Sequence, residues 1–497
     1  MGKQETASAG APIDDAAKWS GIDWDHARGE VRRLQMRIAK AVREGRWGKV
    51  RVLQRMLERS FYAKLLAVKR VTSNKGKKTP GVDGVLWQGA RAKWQAACSL
   101  QRRGYRPQPL RRIYIPKKNG KRRPLSIPTM YDRAQQALYK LALAPVAETT
   151  ADRNSYGFRE GRSCADAIAA AFNALAKPNS APWVLEGDIK GCFDNISHRW
   201  MLDNIPTDSQ VLHTWLAAGY VEDNRLYPSR KGTPQGGIIS PTLSNMTLDG
   251  LERAIHAAVP RRQRVNFVRY ADDFIVTGKS RRILEDTVRP VIEAFLAERG
   301  LELSPEKTEI THIRDGFTFL GQTFRKTGDV LRITPAKEGV LALVRKVGTL
   351  IREHVSRPMV ILVKKLNSVL RGWANYHRHV VSSEAFTRVD RYVCDQLWRM
   401  LRRRHSNKSK TWLFRRYWRN DGQRHIFGVK ETTKKGPRRY EVIRLGLIGI
   451  KRYVKIKADA NPYLPEYAGY FWRRRHDKPS RLLPAMSARE CRALTRP

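Results

Sequence analysis

Two aspartates side by side, Asp272 and Asp273, interrupt a strand-forming run, NFVRYADDFIVTG at 266–278. The β-branched and aromatic residues on either side favour extended chain, so the run reads as two strands joined by a tight turn that carries both carboxylates. Adjacent carboxylates repel, and between apolar strands the repulsion persists unless a cation answers it. A divalent metal is one answer; a plain hairpin turn is the bland alternative, and the segment alone does not choose. A second acidic strand weighs toward metal. In WVLEGDIKGCFDNISH at 183–198, Asp188 ends an apolar run. Three carboxylates from two strands can hold two Mg²⁺ ions, which take oxygen ligands and join carboxylates to substrate phosphates. Ions roughly 3.5–4 Å apart activate a 3′-hydroxyl and stabilise leaving pyrophosphate in an in-line displacement, which is polymerase chemistry.

Charge points to the same partner. The chain has 96 Lys plus Arg against 46 Asp plus Glu in 497 residues, a formal charge of +50. With 41% hydrophobic residues, 13 Trp and 17 Tyr it is a folded chain of two to four domains, not a disordered polycation. Such an excess is destabilising until a polyanion screens it, and phosphate backbones do so with counterion release. A membrane surface fits poorly, since no apolar run approaches the roughly 18–20 residues of a spanning helix. Cys98, Cys164, Cys192, Cys394 and Cys491 are odd in number and form no C-x-x-C pair, which argues against zinc and disulfide frameworks. The N-terminus lacks an apolar secretion core and carries Glu5, Asp14 and Asp15, so a cytoplasmic protein is expected.

Apolar spacing predicts two basic amphipathic helices between Asp23 and about Val71, whose charged faces serve RNA or only water. YIPKKNGKRRPLSIP at 114–128 reads as two short strands joined at Asn119-Gly120, a basic tip suited to triphosphate or backbone. Three helices are predicted at about 336–354, 359–378 and 384–404. Farther on, RYEVIRLGLIGIKRYVKIK (439–457) reads as strand.

In chain order, RRPLSIPTMYDRAQQAL (122–138), SYGFREGRSCADAI (155–168), LEGDIKGCFDNISH, KGTPQGGIISPTLSNMTLDGLE (231–252), RYADD, GLELSPEKTEIT (300–311) and FTFLGQTF (317–324) resemble the reverse transcriptases of bacterial group II introns, the intron-encoded maturases. RVTSNKGKKTPGVDG resembles that family's N-terminal extension and LNSVLRGWANYHRH (366–379) its thumb, or maturase, region. The resemblance implies an α+β right-hand polymerase: fingers, an antiparallel-sheet palm, an all-α thumb and a basic C-terminal DNA-binding region. The boundaries expected are a disordered tail at 1–22, N-terminal extension at 23–90, fingers and palm at 91–334, thumb at 335–404, DNA-binding region at 405–465 and a C-terminal tail at 466–497.

The resemblance also implies roles. Asp188, Asp272 and Asp273 would hold two Mg²⁺, with Mn²⁺ as a substitute. Phe193 would bar a 2′-hydroxyl and so select dNTPs; its alternative is a core aromatic. Gln235 and Gly236 would pack on the nucleotide, with Lys117 and Arg123 of the basic hairpin on its triphosphate. Lys307 would neutralise or protonate pyrophosphate, unless it is a surface lysine paired with Glu306 or Glu309. Tyr156, Phe158, Arg159 and Arg162 would line the template path, core packing being the alternative for the two aromatics. Residues 405–460, with Arg415, Arg416, Trp418, Arg419, Arg438, Arg439 and Arg444, would meet DNA. Relatives continue into an endonuclease with C-x-x-C metal pairs. None occurs here, so no endonuclease zinc and no second-strand cleavage are expected.

The expected function is RNA-directed DNA synthesis by a bacterial, nucleoid-associated protein that binds its intron RNA, an RNA template, a DNA primer or target and dNTPs. It would promote splicing and copy the intron during retrohoming. The alternatives are a splicing cofactor with an idle polymerase site, or a relative recruited to host defence.

Overall fold

The computed structural model describes residues 14–116, 120, 122–420, 425–433 and 436–476. Among them no helix is long and apolar enough to cross a membrane.

Three N-terminal helices, not two, pack on a long central helix, Met130–Thr150: Trp24–Arg43, Trp47–Arg59 and Phe61–Ser73. The second expected run breaks at Ser60, whose backbone is extended (φ −60, ψ 125). The break redirects the next helix and leaves Phe61 on the surface, while Leu53, Leu57 and Leu65 stay in the core. Residues 14–22 are also a correction, since Asp15–Ser20 is helical and is held by Gln95 Nε2 donating to Asp15 Oδ2 at 3.3 Å.

The two strands of the basic hairpin form, Leu110–Pro116 antiparallel to Arg122–Ile127, while Asn119 of the expected turn lies outside the described residues. Two short strands, Tyr220–Glu222 and Arg225–Tyr227, extend that sheet.

The central sheet has four antiparallel strands in the order Phe267–Tyr270, Asp273–Gly278, Trp183–Asp188, Glu309–His312. Its strands Phe267–Tyr270, Asp273–Gly278 and Trp183–Asp188 have core on both faces, which explains their runs of apolar residues in place of strict alternation, while the edge strand Glu309–His312 is partly exposed. Leu185, Phe274 and Val276 enter the core shared with the N-terminal helices. Val184, Val268 and Ile275 enter a second core with Phe317, Phe319 and Phe324 of a three-stranded sheet at 317–335.

Helices Lys337–Arg352, Met359–His377 and Ser383–Arg404 follow. They share one core with helix Lys410–Tyr417 and a small sheet of Trp418–Asn420, His425–Thr433 and Gly436–Glu441. Trp418, expected to meet DNA, is instead buried in that core, its ring 4.3 Å from that of Trp398.

The strand expected through 457 ends at Glu441. Beyond it, side chains take the amides that a ladder would use. Asn367 accepts from Ile443 N at 2.8 Å, Asp390 from Leu445 N and Gly446 N at 2.8 Å each, and Asp166 from Ile456 N at 2.7 Å. The chain thereby returns to the body. Residues 453–476, expected to end a DNA-binding region and begin a tail, cross the 148–166 segment and finish in helix Ala468–His476.

Candidate active site

Asp188 is the last residue of its strand and lies in register with Asp273, the first of the next. Directly opposed antiparallel residues have Cα atoms about 4.5–5.5 Å apart and side chains on one face. The turn before Asp273 is tight: Tyr270 pairs with Asp273, leaving Ala271 (φ 59) and Asp272 at the apex. Gly187 matters on the opposite face, because a Cβ there would collide with the ring of Phe274.

The turn is braced by a residue the sequence reading missed. Arg269 is fully buried; its guanidinium pairs with Asp249 Oδ1 at 2.5 Å and donates to Asn245 Oδ1 at 3.3 Å and to the carbonyl of Ala271 at 3.4 Å. A lone arginine inside the run NFVRY was the available signal. Burial lifts the Asp249 carboxyl to about 6, against the pull of Arg269.

Lys307 sits on the short turn Pro305–Lys307, and its Nζ lies 2.7 Å from Asp188 Oδ2. Its partner is thus neither Glu306 nor Glu309. Partial burial opposes its charge, but the hydrogen bond to Asp188 and the fields of Asp188, Asp273 and Asp272 lift its pKa above the usual lysine value. Asp273 titrates well above an ordinary carboxylate. Crowding of its carboxyl by protein atoms is the first cause, then the negative charges of Asp272 and Asp188, with Lys307 opposing.

These groups line a cleft of about 440 Å³ whose far wall includes Leu320, Gly321 and Tyr376. Three carboxylates are the oxygen donors that Mg²⁺ takes, so the donor chemistry fits. Among the described residues, however, no three His, Cys, Asp or Glu side chains already close on one point.

Phe193 lies on the short helix Cys192–Asn195, half-buried, with its ring edge-on to Phe158 at 6.2 Å. The T-P-Q-G loop docks on this helix through Thr233 N donating to Phe193 O at 2.6 Å. Gln235 Nε2 donates to Asp194 Oδ2 at 2.9 Å, and its carbonyl accepts from Ser126 N of the basic hairpin at 2.8 Å. Gly236 (φ 132) permits this docking, since a Cβ would strike the carbonyl of Ser126. Phe193, Gln235, Gly236 and the strand bearing Arg123 therefore meet at one place. Arg123 is half-buried opposite Ile115; Lys117, Lys118 and Lys121 lie outside the described residues.

Three of the four expected template contacts are internal. Tyr156 is fully buried and its hydroxyl donates to Asn154 Oδ1 at 3.1 Å. Arg159, its side chain 6% exposed, donates to both oxygens of Glu148 at 2.9 Å and to the carbonyls of Asp152 and Ser155. Arg162, 1% exposed, shares Glu148 and donates to the carbonyls of Ala458 and Ala460 at 3.1 and 3.2 Å. With their donors turned inward, both arginines hold the fold together and offer a template little. Phe158 (φ 59) packs toward Phe193 instead.

A mixed α/β body in which aspartates of two neighbouring strands line one cleft fits a nucleic-acid polymerase of the reverse transcriptase class. The chain matches "Reverse transcriptase (RNA-dependent DNA polymerase)" over 115–324, "N-terminal domain of reverse transcriptase" over 19–100 and "Group II intron, maturase-specific domain" over 340–418. It is 33% identical to Protein YkfC of Escherichia coli (strain K12), over 54% of this chain and 82% of that one. It is 30% identical to the group II intron-encoded protein LtrA of Lactococcus lactis subsp. cremoris, over 63% of each. The chain thus spans a little under two thirds of LtrA's length. A telomerase structure from Candida albicans superposes on 59% of this chain and 61% of that one, with TM-score 0.37 and 14% identity, too loose a likeness to inform the fold. The chain belongs to the group II intron reverse transcriptase/maturase family.

Proposed function

We propose that this protein is an RNA-directed DNA polymerase that extends a DNA primer on an RNA template, and that it also binds intron RNA, promotes its splicing and copies it during retrohoming. The observation that carries the reading is the register pairing of Asp188 with Asp273 beside Asp272, all three lining one cleft.

Asp188, Asp272 and Asp273 would hold two divalent ions, which supply Lewis acidity to the attacking hydroxyl and the leaving pyrophosphate. The rest is the chain's own work. Phe193 would lie under the incoming sugar and leave no room for a 2′-hydroxyl, and Gln235, held by Asp194, would pack on the same nucleotide. Arg123 projects from the hairpin that the T-P-Q-G loop touches and suits the triphosphate by bidentate donation. Lys307, its Nζ 2.7 Å from Asp188 Oδ2, suits the charge that develops on pyrophosphate.

A groove of about 1780 Å³ is bounded by helix Trp24–Arg43, helix Met359–His377 and the 453–475 segment, and Arg28, Arg32, Arg70, Arg371 and Arg378 line it together with Glu148, Glu160 and Asp249. Guanidinium groups on both walls suit an RNA backbone, which an A-form duplex presents more readily than its bases. Primer extension on an RNA template tests the reading. The wild-type chain makes cDNA and the Asp272→Ala, Asp273→Ala variant makes none; synthesis by the double variant overturns it. Splicing measured with the same variant separates RNA-folding assistance, which rests on surface contacts and survives, from polymerisation.

A further inference from the structure

We propose that Lys307 is a built-in counter-cation that occupies Asp188 in the free enzyme and must be displaced before a divalent ion enters. The inference rests on the polymerase reading and concerns how the carboxylates are kept before metal arrives. Two observations carry it.

The ammonium is 2.7 Å from Asp188 Oδ2, on the cleft side, while Asp188 is itself only 17% exposed. The turn bearing Lys307 is fixed to the very strand it neutralises: Ser304 N donates to the carbonyl of Asp188 at 2.8 Å, Lys190 N donates to the carbonyl of Glu302 at 3.0 Å, and Lys307 N closes the turn on Ser304 O at 3.1 Å. The contact is thus set by backbone bonds, and a lysine at this point of the loop reaches Asp188 with little search.

The physical logic is competition. Asp188 and Asp273 face one another in register, and with Asp272 they crowd three carboxyl groups at one corner. Carboxylates this close repel one another when ionised. A tethered ammonium offsets that repulsion without a bound ion. Its side chain is 63% exposed and has a flexible four-carbon stem, so it can swing aside when a divalent ion presents two charges to the same oxygens. Lysine suits this role better than arginine, whose planar fork would bind the carboxylate bidentately and leave less readily.

The test uses the full chain without nucleotide or primer. Mn²⁺ binding is followed by electron paramagnetic resonance, and thermal unfolding is followed in chelator and in excess Mg²⁺. Lys307→Met binds Mn²⁺ roughly fivefold more tightly than wild type, the size expected when an exposed ion pair of about 1 kcal/mol stops competing. In chelator it melts below wild type, and Mg²⁺ closes the gap. Lys307→Arg binds Mn²⁺ no more tightly than wild type. Unchanged or weaker Mn²⁺ binding by Lys307→Met overturns the proposal, as does a melting deficit that Mg²⁺ does not repair. Asp188→Asn distinguishes the two levels. If it leaves Mn²⁺ binding at the wild-type value, the metal assignment in the polymerase reading fails, whatever Lys307→Met does.

Discussion

Arg474 and Asp166, 308 residues apart in sequence, are joined by a hydrogen bond of 3.1 Å. Asp166 is fully buried and also accepts from Ser163, from the hydroxyl of Tyr453 and from the amide of Ile456. One carboxylate thus caps the helix Cys164–Leu175 and ties the 453–476 segment to the body. Asp166→Ala strands several buried donors and one guanidinium, and is expected to lower unfolding free energy by about 3 kcal/mol. Urea unfolding of the full chain checks it. A change below about 0.5 kcal/mol, the scale of an ordinary surface substitution, contradicts the account.

Glu148 neutralises both Arg159 and Arg162 in the interior. Glu148→Gln leaves two guanidinium groups sharing one neutral acceptor and is expected to cost about 3–5 kcal/mol of stability. Arg159→Lys is expected to destabilise the chain while leaving the salt dependence of RNA binding at its wild-type slope, since a buried donor releases no counterion. A shallower slope, measured between two salt concentrations, would place Arg159 on the template after all.

Phe193→Ala is expected to admit ribonucleotides. Removing steric exclusion of one small group is worth about 1–3 kcal/mol, so discrimination between dNTP and rNTP falls by about 10- to 200-fold in kcat/KM. Single-nucleotide incorporation with matched dNTP and rNTP reads this directly; an unaltered ratio removes Phe193 from sugar selection.

Burial, then the nearby charge of Asp208, lifts Glu58 to about 8 from the ordinary 4.5, against the opposing pull of Arg102. The folded chain therefore holds this proton more tightly than the unfolded chain. Its contribution is fully present below pH 4.5, is lost progressively as pH rises toward about 8, and stays lost above that. Glu58→Gln removes the titration, so its stability relative to wild type is expected to rise across that window. A constant difference between the two proteins over the same range contradicts the shift.

The sequence carried the parts that local chemistry controls. The hairpin around Asp272 and Asp273 and the helices beginning near Lys337, Met359 and Ser383 announce themselves through strand-forming runs and helical spacing. Ser60 does not, because the apolar spacing from Val50 to Leu65 continues through it while the backbone turns. Arg159 and Arg162 looked like surface contacts because arginine is seldom buried; only the fold brings Glu148 to them. The 453–476 segment was illegible for a related reason. Its attachments to Asp166, Glu160 and Thr149 are long-range polar bonds without periodicity. Arg269 was in plain sight but needed Asp249 and Asn245 beside it to have meaning.

The central claim is that Asp188 and Asp273 act as one metal-holding unit. Single-turnover incorporation by Asp188→Asn, Asp273→Asn and the double variant, each shown to be folded, tests it most directly. Groups that work as a unit are strongly non-additive, so each single substitution is expected to slow incorporation by at least roughly a thousandfold and the double by little more. Losses that multiply, or a single variant within about tenfold of wild type, would show that the two carboxylates do not share a site.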